Sequence, residues 1–165
     1  METDEKNICR EFHLWELPDN LFILLNKEAN NKFFNKLDSI FGTREKIGKF
    51  LGIWRQEVNK YKRQIQKDRG KYYPVYFPLK LFKKCVPILD QKFLYYLERN
   101  IAEVRVRVGL SVYNPKLPIK ESEGIYRILA HIMADGNASK GKTPYYANTC
   151  RELREYFRKD LQIFG

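Results

Sequence analysis

Thr43-Arg-Glu-Lys-Ile-Gly-Lys-Phe-Leu-Gly-Ile-Trp-Arg-Gln-Glu-Val-Asn-Lys-Tyr61 is the stretch on which the reading of this chain turns. Thr43 is a residue type that caps helix N-termini, and Gly52 suits a turn needing positive φ. Between them Arg44–Leu51 reads as a short helix, with Ile47 and Leu51 one turn apart. A second helix is expected over Trp54–Lys67, with Val58 and Tyr61 on its buried side. Gly48 is small where two such helices would cross. A tight two-helix corner needs these types: a small crossing residue, a left-handed turn residue and apolar anchors on both helices.

The other side of the second helix is polar. Trp54, Arg55, Gln56, Asn59, Lys60 and Arg63 fall mostly off the Val58/Tyr61 face. Arg, Gln and Asn can make paired hydrogen bonds to base edges in the major groove. Lys62 and Lys67 suit phosphate contacts. From Gly42 to Lys71 there are ten Lys/Arg against three acids, so this segment carries +7 of the chain's net +11. Charge concentrated in this way fits a polyanionic partner. The competing reading is an ordinary helical corner with a solvated basic face. Over Arg44–Tyr61 the segment resembles the helix-turn-helix family. That resemblance implies sequence-selective binding of double-stranded DNA, of the kind regulatory proteins use.

Upstream of the corner, Asp19–Phe41 reads as one helix with Leu21, Leu24, Leu25, Phe33, Phe34, Leu37 and Ile40 as its apolar stripe. The Asn30-Asn31 pair offers a break in it, and Gly42 ends it. Downstream, Gly70 stops the second helix, and Tyr72–Pro78, interrupted by Pro74 and Pro78, reads as an extended linker or wing. Leu79–Val86 and Asp90–Asn100 read as short helices separated by Pro87. Glu103–Tyr113 alternates with period two: Val104, Val106, Val108, Leu110 and Val112 on one face, Arg105, Arg107, Gly109 and Ser111 on the other. One strand is expected there. A proline-bounded loop, Asn114–Pro118, precedes a helix over Glu123–Asp135, a short hairpin within Asn137–Asn148, and an amphipathic helix over Cys150–Phe164.

A second signal is Ile128-Leu-Ala-His-Ile-Met-Ala-Asp-Gly136. With its flanks, Asn114-Pro-Lys-Leu-Pro-Ile119 and Tyr145-Tyr-Ala-Asn148, it resembles the LAGLIDADG motif of homing endonucleases, archaeal members included, over Asn114–Gly165. Met133 stands where the motif name has its first aspartate, and His131 replaces an apolar residue. The resemblance implies that two such helices pack at the centre of a saddle-shaped protein, with Ala130 and Ala134 as the small residues at the contact. It implies that Asp135 is the catalytic acid and a ligand to a divalent metal, Mg2+. One motif per chain implies a homodimer through the Ile128–Gly136 helix. The family's unit runs helix, two strands, helix, two strands, helix, and this sequence reaches the second helix. From the residues, Ile125, Ile128, Leu129 and Ile132 would join the helix to its own sheet. Arg127, His131 and Asp135 form an i, i+4, i+8 row that is either a polar stripe or a His/Asp metal pair. Ser139-Lys-Gly-Lys142 reads as a basic turn, open to phosphate or to solvent alone.

Composition bounds the rest. With 44% hydrophobic and 15% aromatic residues the chain can bury a core. No stretch approaches the ~18 consecutive apolar residues of a membrane span. The charged start, Met1-Glu-Thr-Asp-Glu-Lys, lacks an apolar signal region, so a cytoplasmic protein with no membrane partner is expected. Cys9, Cys85 and Cys150 are too scattered for zinc spacing. No G-x-S-x-G, Walker-type loop or dinucleotide fingerprint occurs. The fold class is α+β, mostly helical: a helix-turn-helix region (1–71), linker helices and a strand (72–113), then a partial LAGLIDADG-like αββα unit (114–165). The expected function is sequence-selective DNA binding. The alternative is a metal-dependent, site-specific DNA endonuclease acting as a homodimer.

Overall fold

A computed structural model describes residues 10–107, 111–137 and 145–164. It is an α+β structure in two compact units, one over Leu14–Pro115, the other joining the segment through His13 to the residues from Lys116 onward. Residues 72–113 lie in the first unit with the basic corner. Strand β1 (Glu11–Phe12) belongs to the second unit.

Leu21–Leu25 is a strand, β2, where a helix starting at Asp19 was expected. Five consecutive apolar residues carry no helical period of their own. Here they occupy a central position in an antiparallel sheet, and Ile23 and Leu25 are buried. Asn26 then resets the chain. Its side chain accepts the Ala29 backbone N–H at 2.8 Å and starts α1 (Lys27–Phe41). The helix runs unbroken through Asn30-Asn31. Asn30 is buried, its Nδ2 donating to the Lys62 carbonyl at 2.8 Å and the Tyr61 carbonyl at 3.4 Å. The expected break is instead a buried clamp. Gly42, at φ 76°, ends α1.

The next two helices are α2 (Arg44–Leu51) and α3 (Arg55–Arg63). Thr43 Oγ1 accepts the Lys46 N–H at 3.3 Å, and Gly52 is left-handed at φ 76°, ψ 37°. The second helix is shorter than the sequence suggested. Gln64 turns left-handed at φ 56°, and Ile65–Asp68 (β3) pairs antiparallel with Lys71–Pro74 (β4). Gly70 therefore turns a hairpin rather than stopping a helix. Phe77–Pro78 (β5) leads into α4 (Leu79–Cys85), and Asp90 caps α5 (Gln91–Glu98).

Ile101–Val106 (β6) and Ser111–Tyr113 (β7) are paired antiparallel, with Val104 opposite Val112. The expected single strand is thus a hairpin. Its members Val108, Gly109 and Leu110 lie outside the described residues. The sheet order is β5-β2-β6-β7. A single core gathers Ile23, Phe33, Phe34, Leu37, Ile47, Val58, Leu79, Phe82 and Leu97, all fully buried. Phe33 is its hub, with ring centroids of Phe34, Phe77 and Phe82 at 5.1, 5.6 and 5.8 Å.

In the second unit β1 pairs with Ile119–Lys120 (β8). There follow α6 (Glu123–Asp135), the paired strands β9 (Gly136–Asn137) and β10 (Tyr145–Tyr146), and α7 (Arg151–Leu161). These elements follow one another as helix, strand, strand, helix. The basic turn Ser139–Lys142 lies outside the described residues. Among the described residues, no helix is long and apolar enough to cross a membrane.

Candidate nucleic-acid interface

Three helices hold the basic surface in place. Asp38 on α1 is the staple. Its carboxylate takes Arg44 Nε at 2.8 Å and Nη2 at 3.1 Å from α2, and Lys62 Nζ at 3.0 Å from α3. Partial burial works against the Asp38 charge, but the hydrogen bonds and charges of Arg44 and Lys62 outweigh it. The carboxyl stays below its ordinary range and the staple remains ionised at neutral pH. Arg44 also donates Nη1 to Asn59 Oδ1 at 2.9 Å. Sequence reading missed this network because Asp38, Arg44, Asn59 and Lys62 come from three helices, with no local spacing to mark them.

The network sorts the expected DNA-binding residues into two groups. Asn59 and Lys62 are half-buried and engaged with Arg44 and Asp38. Trp54, Arg55, Gln56, Lys60, Arg63 and Lys67 are exposed, Trp54 to 81% of its full area. Arg55 pairs with Glu45 at 3.1 Å, but both side chains remain mostly in water, where such a pair contributes little. The Trp54 N–H donates to Glu57 Oε2 at 3.2 Å, which fixes the first turn of α3. Val58 and the half-buried Tyr61 anchor its inner side, Tyr61 lying edge-on to Phe77 at 5.0 Å.

A cleft of about 390 Å³ beside α3 adds residues that the sequence did not single out as a group. Lys60 and Tyr61 of α3, Gln66 of the hairpin, Tyr76, and Arg105 and Arg107 line it. Arg105 lies over the Tyr76 ring at 4.8 Å, and the Tyr76 hydroxyl donates to the buried Glu103 at 2.8 Å. Burial, reinforced by that hydrogen bond, pushes the Tyr76 phenol upward. The sequence signal for this wall is the polar side of the alternating stretch at Glu103–Tyr113, which carries Arg105 and, just past the end of β6, Arg107.

Comparison with protein-family models, with characterised proteins and with solved structures finds no match to this chain. The chemistry of its surfaces therefore carries the functional argument.

The second unit presents a different site. On α6, Gly124 and Ile128 are buried, whereas Tyr126, Leu129, Ala130, Met133 and Ala134 are exposed along one face. Leu129, expected to face the helix's own sheet, is 50% exposed. The row Arg127, His131, Asp135 is turned toward α7 and the short strands instead. Arg127 makes a two-point pair with the buried Asp160, Nε–Oδ2 2.9 Å and Nη2–Oδ1 2.7 Å, holding that carboxyl below its ordinary range. His131 packs on Tyr146 and Phe157, at 5.0 and 5.7 Å between centroids.

Asp135 is the last residue of α6 and is exposed, its Oδ2 accepting Asn148 Nδ2 at 2.6 Å. Mg2+ wants near-octahedral oxygen coordination, usually with more than one protein or substrate ligand. Among the described residues no group of three His, Cys, Asp or Glu gathers anywhere. One exposed carboxylate does not by itself fit the ion. Of the described cysteines, Cys150 is exposed, while burial pushes the Cys85 thiol up to about 12, which makes it an unreactive core residue.

Proposed function

We propose that this protein binds double-stranded DNA sequence-selectively, with α3 lying in the major groove as the reading element. The observation that carries the proposal is the division of α3 into two sides. Val58 and Tyr61 are turned into the core, while Arg55, Gln56, Lys60 and Arg63 stand in solvent on a framework braced by Asp38. A solvated basic face needs neither that brace nor the grouping of +7 around one corner. Base-edge readers are Arg55 and Gln56, and Lys60, Arg63 and Lys67 suit phosphates.

The test is binding to a panel of duplexes across a salt titration. Gln56→Ala or Arg55→Ala should cost about 1–3 kcal/mol on preferred sequences and flatten the preference. Lys60→Ala should weaken all duplexes alike and lower the salt slope by about one. If all three variants bind as the wild type does, α3 is not the reading helix.

The exposed apolar face of α6 favours a second reading, that of a homodimeric DNA endonuclease. Tyr126, Leu129 and Met133 flank the small residues Ala130 and Ala134, a pattern suited to close helix contact. Two copies meeting there would supply two acids where one chain supplies Asp135 alone. This reading requires Mg2+-dependent nicking of duplex DNA that Asp135→Asn abolishes while dimers persist. A dimer that leaves every duplex in a site library intact would end it.

A further inference from the structure

We infer that the β3–β4 hairpin is a wing that sets Arg69 against the minor groove, beside the major-groove site of α3. This rests on the reading of α3 given above. All eight strand residues of the hairpin, Ile65–Asp68 and Lys71–Pro74, are exposed. A two-stranded hairpin has marginal stability in water, and this one buries no side chain of its own in the core. The fold therefore maintains an ordered element that contributes little to packing. Its outward chemistry is basic and aromatic: Lys67, Arg69 and Lys71 against Asp68, with Tyr72 and Tyr73 exposed and Lys67 Nζ 5.8 Å from the Tyr72 ring centre.

The turn is the decisive feature. Arg69 has φ 46° and Gly70 φ 79°, so both central residues of the two-residue turn are left-handed. Such turns favour Asn, Asp or Gly at the first position, and an L-residue with a long side chain is strained there. This chain accepts the strain and gains a guanidinium at the tip. Strain held at an exposed tip points to a contact made by that residue. Arginine is the side chain that a narrow minor groove attracts most readily, because the groove concentrates negative potential.

The position of the hairpin suits the same duplex. Only Gln64 separates it from α3, and the Val75 N–H donates to the Gln64 carbonyl at 2.9 Å, closing its base. The groove between helix and hairpin is lined by Gln56, Lys60, Arg63 and Lys67, among others, so the basic surface is continuous from one element to the other.

Arg69→Asn is the discriminating variant, because asparagine tolerates the left-handed turn and keeps the hairpin. Binding is measured by fluorescence anisotropy with a labelled mixed-sequence duplex over a KCl titration, beside wild type and Arg55→Ala. Arg69→Asn should melt no lower than wild type, bind about fivefold more weakly, and lose about one from its salt slope. Adding an A-tract beside the preferred site should help wild type more than the variant. Wild-type affinity and slope in Arg69→Asn, with Arg55→Ala impaired, would overturn the wing and leave α3 as the reader. Failure of the wild-type protein to bind any duplex would overturn both.

Discussion

Gly48→Val should collapse the α2–α3 corner, lowering stability by about 3 kcal/mol and removing the proposed DNA binding with it. A Cβ at Gly48 would lie 2.7 Å from the Ile53 carbonyl oxygen, with the Arg55 nitrogen and Trp54 carbonyl carbon at 3.5 and 3.6 Å. All three are backbone atoms, so no side-chain rotation relieves the contact. Nor can the turn back away. Gly48 and Lys49 carbonyls accept the N–H groups of Ile53 at 2.9 Å and Gly52 at 3.3 Å, closing the helix in a Schellman-type arrangement. Moving Ile53 breaks the bonds that end α2. Gly48→Ala tests the same contact with opposing terms in play. Alanine gains about 1 kcal/mol of helix propensity over glycine, and overpacking costs about 1–3 kcal/mol. The steric term should win, so the alanine variant melts below wild type. An alanine variant melting at or above wild type would show that the corner yields.

This glycine also shows how far the sequence could be read. A small residue at the crossing was legible from spacing, because Ile47, Leu51, Gly52 and Val58 are local and in register. That alanine is too large there was not, because the obstructing carbonyl depends on how the turn closes. Thr43, Gly42 and Gly52 were legible for the same local reason: caps and left-handed turns are decided within a few residues. Leu21–Leu25 was misread because an apolar run fits a buried strand as well as a helix, and only its sheet neighbours β5 and β6 decide.

Ile65–Lys67, expected as the end of a helix, was misread for another reason, while Tyr72–Pro74 is extended as expected. Gln64, Gln66 and Lys67 are acceptable helix residues, so Gly70 looked like a stop signal. The Arg69-Gly70 pair lacks the Asn-Gly or Asp-Gly signature that marks a two-residue hairpin. The departure from that signature hid the hairpin in the sequence and gives it interest in the structure. At the candidate site, composition found the exposed side of α3. It could not show that Lys62 and Asn59 are committed to Asp38 and Arg44, since ion pairs between helices leave no periodic trace.

Phe33→Ala should be the most destabilising single change in the Leu14–Pro115 unit, at about 3–5 kcal/mol, and should leave the proposed DNA recognition intact in the molecules that remain folded. Phe33 is fully buried, and its ring meets those of Phe34, Phe77 and Phe82, which come from α1, β5 and α4. Truncation removes the ring from the middle of this cluster. The neighbours are themselves held by α1, the sheet and α4, so they close the cavity only in part. The urea midpoint should fall while the slope of the transition stays constant, the mark of lost packing rather than of an altered unfolded state. The α3 surface is braced elsewhere, through Asp38, Arg44 and Lys62 on the side chains and through Asn30 on the carbonyls of Tyr61 and Lys62. Affinity corrected for the folded fraction should therefore match wild type, in contrast to Gly48→Val, where stability and binding fall together. Loss of affinity in fully folded Phe33→Ala protein would mean that the core, and not the Asp38 staple, sets the orientation of α3.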